Sequence, residues 1–235
     1  VLNSASYLLS GWFIYLAEIP QSEMSAAERH RTRNPLTGIL EGFRFLQENR
    51  QVLRPALAKG TFTICSGALV YMLIIVAEEI LLMGSIGLGL LYAARGVGTG
   101  VGPIFARRLF RSESGWVQVM GYCMVFSGIC YFFVGQTSSL IWMLIFVMLA
   151  HMASGANWVM STVLLQRRAP DVFRGRSFST EWLLFTLSQS LSVTIASLIL
   201  EFGWLTLQEA IGVYAVLLCG IGAFWLLKVA PEDTI

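Results

Sequence analysis

Arg95 is the first residue that invites chemistry. It is a permanent cation inside the run GLGLLYAARGVGTGVGP (Gly87–Pro103), where every other residue is apolar, small or weakly polar. About 12 residues separate it from the basic end of that run, which at ~1.5 Å per residue places it ~18 Å deep, near the centre of a bilayer. A lone charge at that depth costs at least ~2.5–3.5 kcal/mol, so it has to face a bundle interior or a water-filled cavity. Tyr92, Arg95, Thr99 and Gly102 share one helical face, while Leu90, Val97 and Val101 point elsewhere. Two readings stand for the arginine. It lines a cavity and takes part in binding an anionic substrate or in ion coupling, or it pairs with backbone carbonyls or with a carboxylate outside this sequence.

Further polar residues fall at a similar depth. His151 shares a face with Ser154 and Trp158, with Asn157 on its edge, and Gln189 lines up with Thr186 and Trp182. An imidazole titrates near neutrality in water and could relay protons, whereas a histidine hydrogen-bonded between packed helices is the other reading. Gly96, Gly98, Gly100 and Gly102, followed by Pro103, suit close approach of a neighbouring helix and bending. Cys65, Cys123, Cys130 and Cys219 lie in apolar stretches without a pairing pattern and read as packing residues. No metal-ligand spacing, phosphate loop or nucleophile elbow is present. Nothing points to an enzyme or to a cofactor.

The elements that must position these residues are helices in a membrane. The chain is 56% hydrophobic and 13% charged, with a mean hydropathy of +0.68. Stretches long enough to cross a ~30 Å hydrocarbon layer, roughly 20 residues each, recur along it. They fall at 57–78, 86–106, 115–135, 139–165, 177–200 and 206–228. The opening VLNSASYLLSGWFIYLA lacks a basic flank and a cleavage site and reads as the tail of a helix that begins upstream. All of the 16 Lys and Arg except Arg95 fall on one face if the spans alternate, and the opposite loops carry Glu78, Glu79, Glu201 and Glu209. The positive-inside rule makes the basic face cytoplasmic. The net charge of +2 then reflects loop cations facing anionic headgroups, not nucleic-acid binding. Within that frame Lys59 counts as a loop cation, and Glu181 falls in the first turn of its span, where the helix dipole favours a carboxylate.

Between the first partial helix and the first full span lie a polar stretch, EIPQSEMSAAERHRTRNP, and then LTGILEGFRFLQENRQVLRP. Leu36, Ile39, Leu40, Phe43 and Leu46 recur there at helical spacing, with Glu41, Arg44, Glu48 and Arg50 on other faces, as in an amphipathic surface helix.

This order of elements resembles the C-terminal half of a major facilitator superfamily transporter, in the bacterial efflux branch that includes enterobactin exporters and macrolide efflux pumps. The resemblance spans essentially the whole chain. Its carriers are Gln166, Pro170, Arg174, Gly175 and Arg176 in LLQRRAPDVFRGRSFS, together with GLLYAARGVGTGVGP in the second full span. The glycine spacing of that span is also similar to the antiporter motif of the superfamily, which belongs to the fifth helix of the other half and ends in two further glycines, where this chain has Ala106 and Arg107.

The resemblance implies an all-α membrane fold. Residues 1–17 would end helix six, 18–54 would form a cytoplasmic linker with the surface helix, 55–230 would hold helices seven to twelve, and 231–235 would be a cytoplasmic tail. Helices seven, eight, ten and eleven would border a cavity, and helices nine and twelve would lie outside it. The implied activity is proton-driven export of a hydrophobic or amphiphilic small molecule across the bacterial inner membrane by alternating access, with protons and the missing N-terminal six-helix half as partners. Tyr92, Arg95, Thr99, His151, Asn157, Trp182, Thr186 and Gln189 are the expected cavity or coupling residues. Arg107, Arg108, Asp171, Arg174 and Arg176 are expected at a cytoplasmic gate, with Glu113 and Asp171 as the acidic partners. A non-transporting scaffold that retains the half-bundle, or a lipid flippase of the same fold, is the alternative.

Overall fold

A backbone buried in hydrocarbon has to satisfy its own N–H and C=O groups, and a helix does so within one segment. The computed structural model describes residues 2–17 and 35–233, and every regular element among them is helical. Helix α1 (Leu2–Leu16) belongs to one compact unit, residues 1–38, and all that follows Gly38 belongs to a second. Within α1 the described side chains are exposed. The polar linker of residues 18–34 lies outside the described residues.

The second unit begins in α2 (Pro35–Glu48) and continues through α3 (Arg50–Ile75), α4 (Gly84–Leu109), α5 (Trp116–Gln136), α6 (Leu140–Arg168), α7 (Asp171–Glu201) and α8 (Leu207–Phe224). Single π-helical turns, Val76–Ile80 and Trp225–Val229, extend α3 and α8. Helices α3, α5, α6, α7 and α8 are long and apolar enough to cross a membrane. Six such spans were expected. A helix does form at the second of them, but the glycines, Thr99 and Arg95 of α4 make it less apolar than the other five.

Ends also differ from expectation, and each difference has a local cause. Helix α3 starts at Arg50, well before residue 57, because the polar residues ahead of the hydrophobic run are good helix formers. Helix α7 starts at Asp171, directly after Pro170, which cannot continue α6 but can precede a first turn. Helix α8 opens with a capping box in which Glu209 Oε2 accepts from the Thr206 N–H at 2.8 Å.

Small residues decide which helices lie closest. Along the parallel pair α4 and α6, the place a Cβ would take at Gly98 is filled by the Met148 carbonyl, at Gly102 by that of Met152, and at Gly155 by that of Thr99. Pro103 has no N–H to donate to the Thr99 carbonyl, so this oxygen is free to face the incoming helix. Gly96 and Gly100 have open space instead. The antiparallel pair α5 and α8 meets at Gly128, beside Ala215 and Cys219, and at Gly222, beside Val125. Helix α7 lies along α3, where Ser192 Oγ accepts from the Ala68 N–H at 2.9 Å. Leu69, Met72, Met120, Met124, Met143 and Leu164 fill the centre and are almost fully buried. The surface helix α2 docks too: Leu46 is buried against Leu165 and Ala169, and Phe45 stacks on Phe173 with centroids 4.3 Å apart, although Leu40 stays exposed.

The helix contacts place α5 and α8 against each other, and exposed apolar residues remain on all four outer helices, among them Val97 and Phe105 of α4, Phe126 and Phe133 of α5, Leu187, Leu191 and Leu198 of α7, and Val216 and Leu217 of α8. A methyl group at Gly102 has to displace backbone, and Gly102→Ala is expected to destabilise the bundle by about 1–3 kcal/mol. Gly100→Ala, with open space and better helix propensity, is expected to be neutral or to stabilise by up to ~1 kcal/mol. Thermal unfolding of the detergent-purified variants reads the difference, and equal midpoints for the two would refute the close α4–α6 contact.

Candidate functional site

Two charged residues lie well inside the bundle and pair with each other. Lys59 is in the third turn of α3 and Glu181 is about as far into α7. The two helices run parallel from the same end, so equal distances along them bring the side chains to one height. Lys59 Nζ stands 2.8 Å from Glu181 Oε1, and the side chains are only 4% and 2% exposed. The ammonium donates to Thr162 Oγ1 at 2.8 Å and lies over the Trp158 ring, 4.2 Å from its centroid. Helices α3, α6 and α7 meet at this point. Trp158 packs edge-on against Trp182 and Phe185, which stack on each other with centroids 5.2 Å apart. A cavity of about 420 Å³ opens beside Lys59 and Glu181, bordered by Phe178 and by Trp182, which is itself 55% exposed.

Neither member of this pair was expected to be here. The sequence pattern places Lys59 in the basic loop and Glu181 in a first helical turn. Both corrections follow from the longer helices: α3 and α7 begin about two turns earlier than the hydropathy suggests. The Pro170–Asp171 start was a legible signal. The partnership was not.

Arg95 sits in a different setting. It is half-buried on the open side of α4, its guanidinium 5.2 Å from the Tyr92 ring centroid, and no carboxylate among the described residues lies within ion-pair distance. Thr99 donates back to the Arg95 carbonyl at 2.9 Å. His151 Nε2 and Tyr131 Oη are 2.9 Å apart, and both residues are buried. This hydrogen bond links α6 to α5. Asn157 is 2% exposed, and its Oδ1 has no hydrogen-bond partner among the described residues. Trp182 and Thr186 are exposed on α7 and Gln189 is half-buried there, so these three form one face as their spacing predicts.

The expected gate residues divide into pairs. Asp171 bonds Arg174 at 2.6 Å within α7, and Arg176 reaches Glu41 of α2 at 2.9 Å. Glu113 pairs with Arg167, not with the arginines that end α4. Arg107 and Arg108 are exposed and take no acidic partner among the described residues. A cluster that was not foreseen closes the same end: buried Asp233 accepts from Arg54 at 3.1 Å and from Arg168 at 2.9 and 3.0 Å, and Glu232 adds contacts to Arg50 and Arg54. The start of α3, the end of α6 and the segment after α8 are thereby held at one end. None of the four cysteines forms a disulfide, and no cluster of metal-ligating side chains occurs among the described residues.

Removing one member of a buried ion pair strands the other, at a cost of about 3–5 kcal/mol, whereas apolar replacement of both is near neutral. Lys59→Met and Glu181→Gln are each expected to lower the unfolding midpoint in detergent, and Lys59→Met combined with Glu181→Met to restore most of it. Single variants as stable as the parent would mean that the pair is solvated and not a buried contact. Comparison of the chain with protein-family models, with curated proteins and with solved structures finds no match.

Proposed function

We propose that this chain is one half of a secondary active transporter that exports a hydrophobic or amphiphilic small molecule across a bacterial inner membrane by alternating access, driven by protons. The observation that carries the reading is Arg95: a half-buried cation without a carboxylate partner among the described residues, midway along a helix whose outer face is open. A charge in that position is stable only where water, a substrate or a second protein surface meets it. The open apolar faces of α4 and α7 are what a facing six-helix bundle would cover, and the space between the bundles is where such proteins bind substrate. Tyr92 and Thr99 on the Arg95 side of α4, and Trp182, Thr186 and Gln189 on one side of α7, supply aromatic and polar contacts. Lys59 and Glu181 add a coupling element, because protonation of the carboxylate cancels the attraction that holds the lysine between α6 and α7.

In cells, Arg95→Gln is expected to leave the amount of protein in the membrane unchanged while lowering proton-driven efflux of a lipophilic dye by roughly ten-fold or more. Undiminished efflux would remove Arg95 from the transport path. The companion measurement is the intact mass of the native protein extracted from membranes. The transporter reading expects either a polypeptide about twice the 26.0 kDa of this chain or a stable complex with a second bundle. A lone 26.0 kDa monomer that carries no substrate would leave the scaffold alternative.

A further inference from the structure

The end of α4 combines three unneutralised cations with an apolar cleft. Arg107, Arg108 and Arg111 are exposed, and none forms an ion pair with a described carboxylate. Glu113, which lines the same cavity as Arg107 and Arg111, is engaged by Arg167 of α6. Between α4 and α6 lies a cavity of about 460 Å³ lined by Arg107, Arg111, Arg167 and the Glu113 carboxylate, with Ile104, Val159 and Val163 forming an apolar wall. A second hollow of about 530 Å³ adjoins it and is bordered by Arg107, Arg108 and Arg111. The loop that closes the rim is held in place, since Trp116 Nε1 donates to the Phe110 carbonyl at 2.9 Å.

We propose that this cleft binds the phosphate headgroup of one anionic phospholipid, with an acyl chain laid against the apolar wall between α4 and α6. The carbonyl end of a helix repels anions, so side chains have to create the site, and three arginines outweigh that dipole. Guanidinium groups match phosphate oxygens in pairs. The depth is also right: the arginines occupy the last turn of α4 and the loop after it, where headgroups meet a spanning helix. A soluble anion would satisfy the rim and leave the apolar wall unused, whereas an amphiphile fits both parts. Topology alone would require basic residues at this end but not a cleft beneath them. The proposal rests on the membrane setting of the bundle and not on transport.

Native mass spectrometry of the purified full chain, equilibrated in mixed micelles of phosphatidylglycerol and phosphatidylcholine, tests it. One phosphatidylglycerol is expected to stay bound per chain in preference to phosphatidylcholine, and to resist millimolar inorganic phosphate. Each arginine near a headgroup is worth about five-fold in affinity, so replacing Arg107, Arg108 and Arg111 together by Gln is expected to weaken retention on the order of a hundred-fold. Val163→Trp, which fills the cleft and keeps every charge, is expected to abolish retention as well; it decides the matter if the triple variant does not fold. Equal retention of the two lipids, unchanged binding in Val163→Trp, or displacement by inorganic phosphate would overturn the proposal, the last by assigning the arginines to a soluble anion.

Discussion

A charge cannot be left alone where helices exclude water, and this constraint organises the bundle. Burying an unpaired ion costs several kcal/mol, so each cation has to find a carboxylate, a polarisable surface or an open route to solvent. The chain uses all three. Lys59 takes Glu181, Thr162 and the Trp158 ring in the interior. Arg54 and Arg168 take Asp233 at the basic end. Arg95 keeps to the open side of α4.

These solutions bind together elements that apolar packing alone would hold loosely. Helix α7 buries little of its surface, and the Lys59–Glu181 contact and the Ser192 hydrogen bond pin it to α3 at two heights. Helix α4 is likewise an outer element, fixed to α6 by close approach at Gly98, Gly102 and Gly155 and not by bulky side chains. Dispersion across so short a separation replaces the hydrophobic effect, which has no force between helices that lipid already surrounds. These two helices are therefore held by narrow, specific seams, and such seams leave the rest of each helix surface free for another partner. Any functional reading of the bundle starts from those surfaces.

Asp233 has a comparable role at the basic end. It joins the start of α3 to the end of α6 through two arginines. Arg176 and Glu41 tie α7 to the surface helix α2 in the same region, beside the Phe45–Phe173 stack. The basic end is a cross-linked layer, whereas the arginines that end α4 take no carboxylate among the described residues.

Helical class, the order of the elements and the gathering of cations at one end were all legible in the residues. Hydropathy over a window and the alternation of loop charge are local properties, and local properties survive folding. The small-residue contact of α4 was legible as a tendency, but that Gly98 and Gly102 meet α6 while Gly96 and Gly100 face open space depended on which neighbour the helix acquired. Helix ends were read too short at α3 and α7, because polar residues that prolong a helix beyond its apolar run leave no mark in hydropathy. That error hid Lys59 and Glu181, and even correct ends would not have joined them. Composition and periodicity determined that this chain forms apolar helices with a cation at mid-depth in one of them. Which charges meet was decided only by the tertiary structure, since the energy of an ion pair depends on a distance between helices that no local pattern encodes.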